Sequence, residues 1–251
     1  MQDIKDKEII VFDLDGTLAV SKSPIDTEMS GLLEKLLEKK KVCIISGGNF
    51  EQFKLELLDH LHIKEERLQD LILMPTSGTR MYIWDGGWKE KYAEDFSNEE
   101  KEKIIGALNA SLDEAGYNDP DIVYGPPVIE DRGSEITFSS LGQETQVEIK
   151  EDWDPFHNKR EQVVNLLKDK VPEFSVGIGG MTSIDITRKG VDKAYAVKKL
   201  EEIFNISIDK MIFVGDALFE GGNDAPVKVT GIETISVSNP EETKKLISTW
   251  L

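Results

Sequence analysis

The sequence predicts an α/β protein, a doubly wound and mainly parallel sheet with a smaller α+β module inserted into it. Three observations carry this. Short apolar runs recur toward both ends of the chain with helical patterns between them. The middle instead alternates polar with apolar residues. The first run, Ile9-Ile10-Val11-Phe12, stops abruptly at two aspartates and a Gly-Thr turn.

Runs of this length read as strands buried on both faces at residues 8–12, 42–46, 70–74, 211–215 and 232–237. After the first, Met29, Leu32, Leu33, Leu36 and Leu37 fall at i, i+3, i+4, i+7 and i+8, one stripe of a core-facing helix. Asn49 with Gln52 has the form of a capping box, and Asn239, Pro240 and Glu242 mark another helix start. The middle reads differently. Ser97 with Glu100 opens a helix running to about Gly116, and Asn158 with Glu161 opens one that Pro172 stops. Around them lie strand-like stretches at 81–84, 128–141 and 174–187, so two helices should cover an antiparallel sheet. No repeat or low-complexity linker interrupts the chain. The expected division is a catalytic core of 1–80 and 187–251 with a module of 81–186 inserted into it.

With 30 Lys plus Arg against 48 Asp plus Glu, the formal charge is −18, which counts against a general nucleic-acid binder. The single cysteine, Cys43, lies in an apolar run and reads as a buried structural thiol, so no intramolecular disulfide can form. The apolar runs are too short to cross a bilayer, and the first residues lack the basic-then-apolar order of a signal peptide. A cytoplasmic location is expected. His60 and His62 stand close together without a third nitrogen or sulfur ligand and read as a surface pair.

The chemistry concentrates at strand ends. Asp13 and Asp15, at i and i+2, point to one face of a regular strand, in the crevice where open α/β sheets bind ligands. Such carboxylates repel one another, and oxygen-only ligands at this density suggest Mg²⁺. A second cluster follows another apolar strand: Gly215-Asp216, then Gly221-Gly222-Asn223-Asp224, so that Asp13, Asp15 and Asp216 could converge on one metal. Between the clusters stand Ser46-Gly47-Gly48 and the turn Gly190-Val191-Asp192-Lys193. A hydroxyl, backbone amides and a lysine are the donors that a transferring phosphoryl group needs.

In this order the pieces resemble the haloacid dehalogenase superfamily of phosphotransferases, with motifs at 13–17, Ser46, Lys193 and 215–224. One branch of that superfamily inserts an α/β cap between the second and third motifs, where residues 81–186 fall. Within it, Ile129-Glu130-Asp131-Arg132 and Gly179-Gly180-Met181-Thr182-Ser183-Ile184-Asp185 look like signatures of the eukaryotic-type phosphomannomutases. The resemblance implies Asp13 as nucleophile and Asp15 as general acid and base. It implies Mg²⁺ on Asp13, the Asp15 carbonyl and Asp216, with Asn223 or Asp224 in support. Ser46, Gly47 and Lys193 would hold the phosphoryl group, and Arg132, Gln143, Ser183 and Asp185 would lie in the sugar site of the cap. The expected partners are a small phosphorylated sugar and a second copy of the chain meeting it through the cap, with no nucleic acid and no membrane.

Two departures bear on the outcome. Gln143 stands where the mutases carry a second cap arginine, and Ser46 supplies the hydroxyl that phosphatases of the superfamily use. Thr76-Ser77-Gly78 also replaces a usual Glu-Asn-Gly. Hydrolysis of a sugar phosphate is therefore the first expectation and phosphomannomutase activity the alternative. A non-catalytic sugar-phosphate binding protein comes last, because all four motif positions hold competent residues.

Overall fold

The computed structural model describes residues 4–117, 128–142, 145–179 and 182–251; Gln143, Gly180 and Met181 lie outside them. The chain divides into two compact units, Met1–Ala93 with Val191–Leu251, and Glu94–Gly190.

In the first unit the chain forms β1 (Ile9–Asp13), α1 (Thr27–Leu37), β2 (Lys41–Ile45), α2 (Phe50–Glu56), α3 (Glu65–Leu68), β3 (Leu71–Met74), β4 (Arg80–Trp84) and β5 (Trp88–Ala93). The second unit holds α4 (Asn98–Glu114), β6 (Val128–Asp131), β7 (Glu135–Ser139), α5 (Val147–Trp153), α6 (Asn158–Lys170), β8 (Phe174–Ile178) and β9 (Ser183–Arg188). The chain then returns to the first unit through α7 (Lys193–Phe204), β10 (Met211–Gly215), β11 (Glu233–Ser236) and α8 (Pro240–Trp250).

The first sheet runs β11-β10-β1-β2-β3-β4-β5, parallel from β11 to β3 and closed by an antiparallel hairpin. Its central strands are buried on both faces, and each face has its own core. Leu33, Leu36 and Phe53 pack on Ile10 and Phe12, whereas Val197 and Leu200 pack on Val11 and Phe213. Asp26 caps α1 by accepting from Met29 N at 2.9 Å, and Asn49 and Gln52 complete the expected capping box of α2. Residues 81–84, expected in the inserted module, form most of β4 and pair with β3 instead. The partner strand β5 is polar and sits at the sheet edge, where lysines blunt further pairing.

The second unit is a four-stranded antiparallel sheet, β6-β7-β9-β8, with one apolar face. Ile136, Phe138, Ile184 and Ile186 meet Ile104 and Leu108 of α4 and Val163 and Leu167 of α6. The strand-like stretch at 128–141 is a hairpin that turns at Gly133, whose φ of 84° suits glycine. Ser97 and Glu100 form the expected capping box, but Asn158 does not cap α6. Asp154 does so from upstream, accepting from Lys159 N at 3.1 Å and Arg160 N at 3.2 Å while pairing with the buried Arg160 side chain at 2.9 Å. No helix among the described residues is long and apolar enough to cross a membrane.

Candidate active site

The carboxyl ends of β1, β2 and β10 and the start of α7 converge at one end of the first sheet. Asp13 is the last residue of β1 and is 2% exposed. Lys193, opening α7 and equally buried, pairs with Asp13 and lies 2.5 Å from Asp224. A buried ammonium between two carboxylates stays charged, because each loss of solvation is offset by an opposite charge. Burial works against the Lys193 charge, yet Asp13 and Asp224 hold its pKa above the ordinary value.

Asp13 fares differently. Burial pushes its carboxyl up to about 6 against the pull of Lys193, with Asp224 and Asp216 adding repulsion. Its second oxygen, Oδ2, is buried without a hydrogen-bond partner. One oxygen from each of Asp13, Asp216 and Asp224 lies within 4.8 Å of the others. Burial and the Asp224 charge raise Asp216 as well. An unpaired buried oxygen and three crowded carboxylates, with one lysine among them, fit a small divalent cation.

The glycines make this crowding feasible. Gly16 has φ +83°, and a Cβ there would sit 2.5 Å from Asp216 Oδ2. A Cβ on Gly215 would fall 2.3 Å from Asp224 Oδ2. Asp224 is further fixed by Ala217 N, which donates to its Oδ2 at 3.0 Å. Thr17 Oγ1 donates to Asp216 Oδ1 at 3.4 Å.

Asp15 does not join the three carboxylates. The strand ends at Asp13, and the amides of Leu18 and Ala19 turn back onto Leu14 O, which breaks the alternation that would have put Asp13 and Asp15 on one face. Asp15 instead accepts from Lys22 N at 2.8 Å and from Ser46 Oγ at 3.5 Å. Ser46 also accepts from Gly48 N at 3.1 Å, while Gly47 is exposed. Asn223, beside Asp224 in sequence, is exposed. Sequence reasoning passed over Glu56 at the end of α2, whose carboxyl is pushed up to about 7 by burial and the Asp15 charge. Glu56 sits at the end of an ordinary amphipathic helix and carries no local signature.

The remaining candidates lie in the second unit. Arg132, Ser183 and Asp185 stand on or beside the polar face of its sheet, and Arg132 is already engaged by Glu130 and Glu135. Arg188 is taken up by Glu100 at 2.6 and 2.7 Å and lies over the Phe96 ring.

Comparison with known proteins follows the same lines. The model of the haloacid dehalogenase-like hydrolases matches residues 10–226, from β1 to just past Asp224. Relatives include a phosphomannomutase of Encephalitozoon cuniculi, 27% identical over 96% of this chain and 93% of its own, and phosphomannomutase 2 of Dictyostelium discoideum, 26% identical over 96% and 95%. Solved structures of the same fold include a haloacid dehalogenase-like hydrolase from Bacteroides thetaiotaomicron, with TM-score 0.67, 16% identity and coverage of 98% of this chain and 100% of that one. Another is the N-terminally truncated IMP-nucleotidase of Plasmodium falciparum, with TM-score 0.70, 16% identity, and 99% and 71% coverage. Strand-end aspartates, the lysine opening α7 and a family match spanning them all agree: the chain belongs to the haloacid dehalogenase-like hydrolase family.

Proposed function

We propose that this protein is a sugar-phosphate phosphotransferase of phosphomannomutase type, working through an aspartyl phosphate on Asp13. The observation that carries the chemistry is the Asp13 carboxylate: one oxygen is paired with Lys193 and the other is buried without a partner at a strand end. That carboxylate is the nucleophile. It bonds to phosphorus as the bond to the sugar oxygen breaks, and Asp15 delivers a proton to the departing oxygen. In the second half Asp15 takes the proton of the incoming hydroxyl, and the bond between Asp13 and phosphorus breaks. Ser46 and Lys193 donate to the phosphoryl oxygens, with the Gly47 backbone beside them. Asp13, Asp216 and Asp224 would hold Mg²⁺, with the Asp15 carbonyl in support, and its charge would offset repulsion between carboxylate and phosphate. The second unit supplies the sugar-selecting residues Arg132, Ser183 and Asp185.

The near full-length phosphomannomutase relatives favour isomerisation over simple hydrolysis, reversing the order expected from sequence. A specific observation keeps hydrolysis as the second reading: the only arginine among the described cap candidates is paired with two glutamates. Incubation with mannose 1-phosphate, with and without the 1,6-bisphosphate, separates them when free phosphate and the 6-phosphate are followed together. Isomer formation that depends on the bisphosphate is expected. Phosphate release exceeding isomer formation would restore the hydrolase.

Metal should be felt in the fold as well. Addition of Mg²⁺ at about 100 times its dissociation constant should stabilise the protein by about 2.7 kcal/mol, read as a higher urea midpoint. A midpoint indifferent to both Mg²⁺ and chelator would remove the metal from this site.

A further inference from the structure

We propose that Glu135 holds Arg132 shut against anions and so sets whether the second unit accepts a phosphorylated or an unphosphorylated sugar end; this rests on the sugar-phosphate reading above. The clamp is built into a hairpin. β6 and β7 join through Arg132-Gly133-Ser134-Glu135, closed by Arg132 N donating to Glu135 O at 2.9 Å, with Gly133 at positive φ. Arg132 and Glu135 therefore face each other across the turn. Nη1 of Arg132 donates to Glu135 Oε1 at 2.8 Å, while Nε and Nη2 donate to Glu130 Oε2 at 3.1 and 2.7 Å. Thr137 Oγ1 adds a further bond to Glu135 Oε1 at 3.1 Å.

The charge count decides what such an arginine can bind. One guanidinium faces two carboxylates, and Asp185 lies one strand further on, opposite Thr137 in register. An approaching phosphate meets a net negative surface and must displace a geometrically favourable, partly buried pair. A hydroxyl meets acceptors, including Asp185 Oδ1, which is buried without a partner. Clamped, the site suits a neutral, hydroxyl-bearing sugar end; released, Arg132 can fork onto a phosphate.

Release has a physical route. Burial first, and then the charge of Asp185, push the Glu135 carboxyl up to about 7 against Arg132. Burial raises Asp185 too, and the Arg160 charge that reaches it is held by Asp154. Protonation of Glu135 removes one of the two negative charges on Arg132. As the pH falls through about 7, the preference should move toward the phosphorylated end, and isomerisation should gain on hydrolysis.

Equilibrium titrations in an Asp13→Asn background avoid turnover and compare glucose 1-phosphate with glucose 1,6-bisphosphate. Glu135→Gln should raise the affinity ratio of bisphosphate to monophosphate by roughly tenfold, and should have no such effect when Arg132→Gln is also present. Lowering the pH from about 8 to about 6 should raise the ratio in the Glu135 protein and much less in Glu135→Gln, which corrects for titration of the phosphate itself. Should Glu135→Gln fail to fold, the pH series with Glu135 and with Arg132→Gln carries the same comparison. Phenylglyoxal labelling of Arg132 at one fixed pH, read by mass spectrometry, tests the clamp without a sugar: it should rise in Glu135→Gln. Unchanged labelling, or an unchanged ratio with both sugars bound, overturns the clamp. Increased labelling with neither hexose phosphate bound upholds the clamp and removes the sugar-phosphate reading.

Discussion

Asp13→Asn is expected to lower turnover at least a thousandfold, on the order seen when a catalytic nucleophile is removed, while the fold is retained. Asparagine keeps the shape and can still fill the end of β1, but its amide cannot attack phosphorus. Rapid acid quench with a labelled substrate should trap phosphate on the Asp13 protein and none on the variant. Near-normal turnover by the variant would end the aspartyl-phosphate reading outright.

Lys193→Met should be the most destabilising single change in the first unit, costing about 3–5 kcal/mol in urea unfolding without metal. The reason is asymmetry. Methionine fills much of the volume, but Asp13 and Asp224 are left buried and repelling, with no cation between them. Saturating Mg²⁺ should recover part of that loss, since the cation would answer the same carboxylates. Turnover should stay low, because the phosphoryl oxygens lose a charged donor worth roughly a hundredfold or more. A variant as stable as the parent without metal would mean that the ion pairs contribute nothing.

The four inner parallel strands β1, β2, β3 and β10 and the first helix were legible because burial on both faces leaves an unbroken apolar run, and the stripe of α1 leaves its period in the sequence. The β5 strand was not, because an exposed edge strand shows no such run. The same physics separates the site residues. Asp13 could be read from the abrupt end of β1, but the departure of Asp15 from its face depends on a turn closed by Leu14 O, which alternation cannot foresee. Asp224 looked secondary beside Asp216 because its closeness to Lys193 joins β10 to α7 and has no local trace. Asp154, capping α6 from outside the helix, and Glu135, pairing across a turn, escaped for the same reason: each acts on a partner that no helical or strand period links to it.

The interleaving of the first unit governs when its chemistry can come into being. β1 pairs with β2 on one side, within a stretch the ribosome delivers early, but its other neighbour, β10, begins at Met211. Asp13 and Lys193 are 180 residues apart. Until the late segment arrives, an apolar strand edge stands open and Asp13 has neither its lysine nor its companion aspartates. Contacts this distant in sequence fold slowly and leave edges exposed to misassembly meanwhile. The second unit, whose core comes entirely from its own continuous stretch, can form during that wait, so a nascent chain has one finished unit before the carboxylates and lysine of the other can meet.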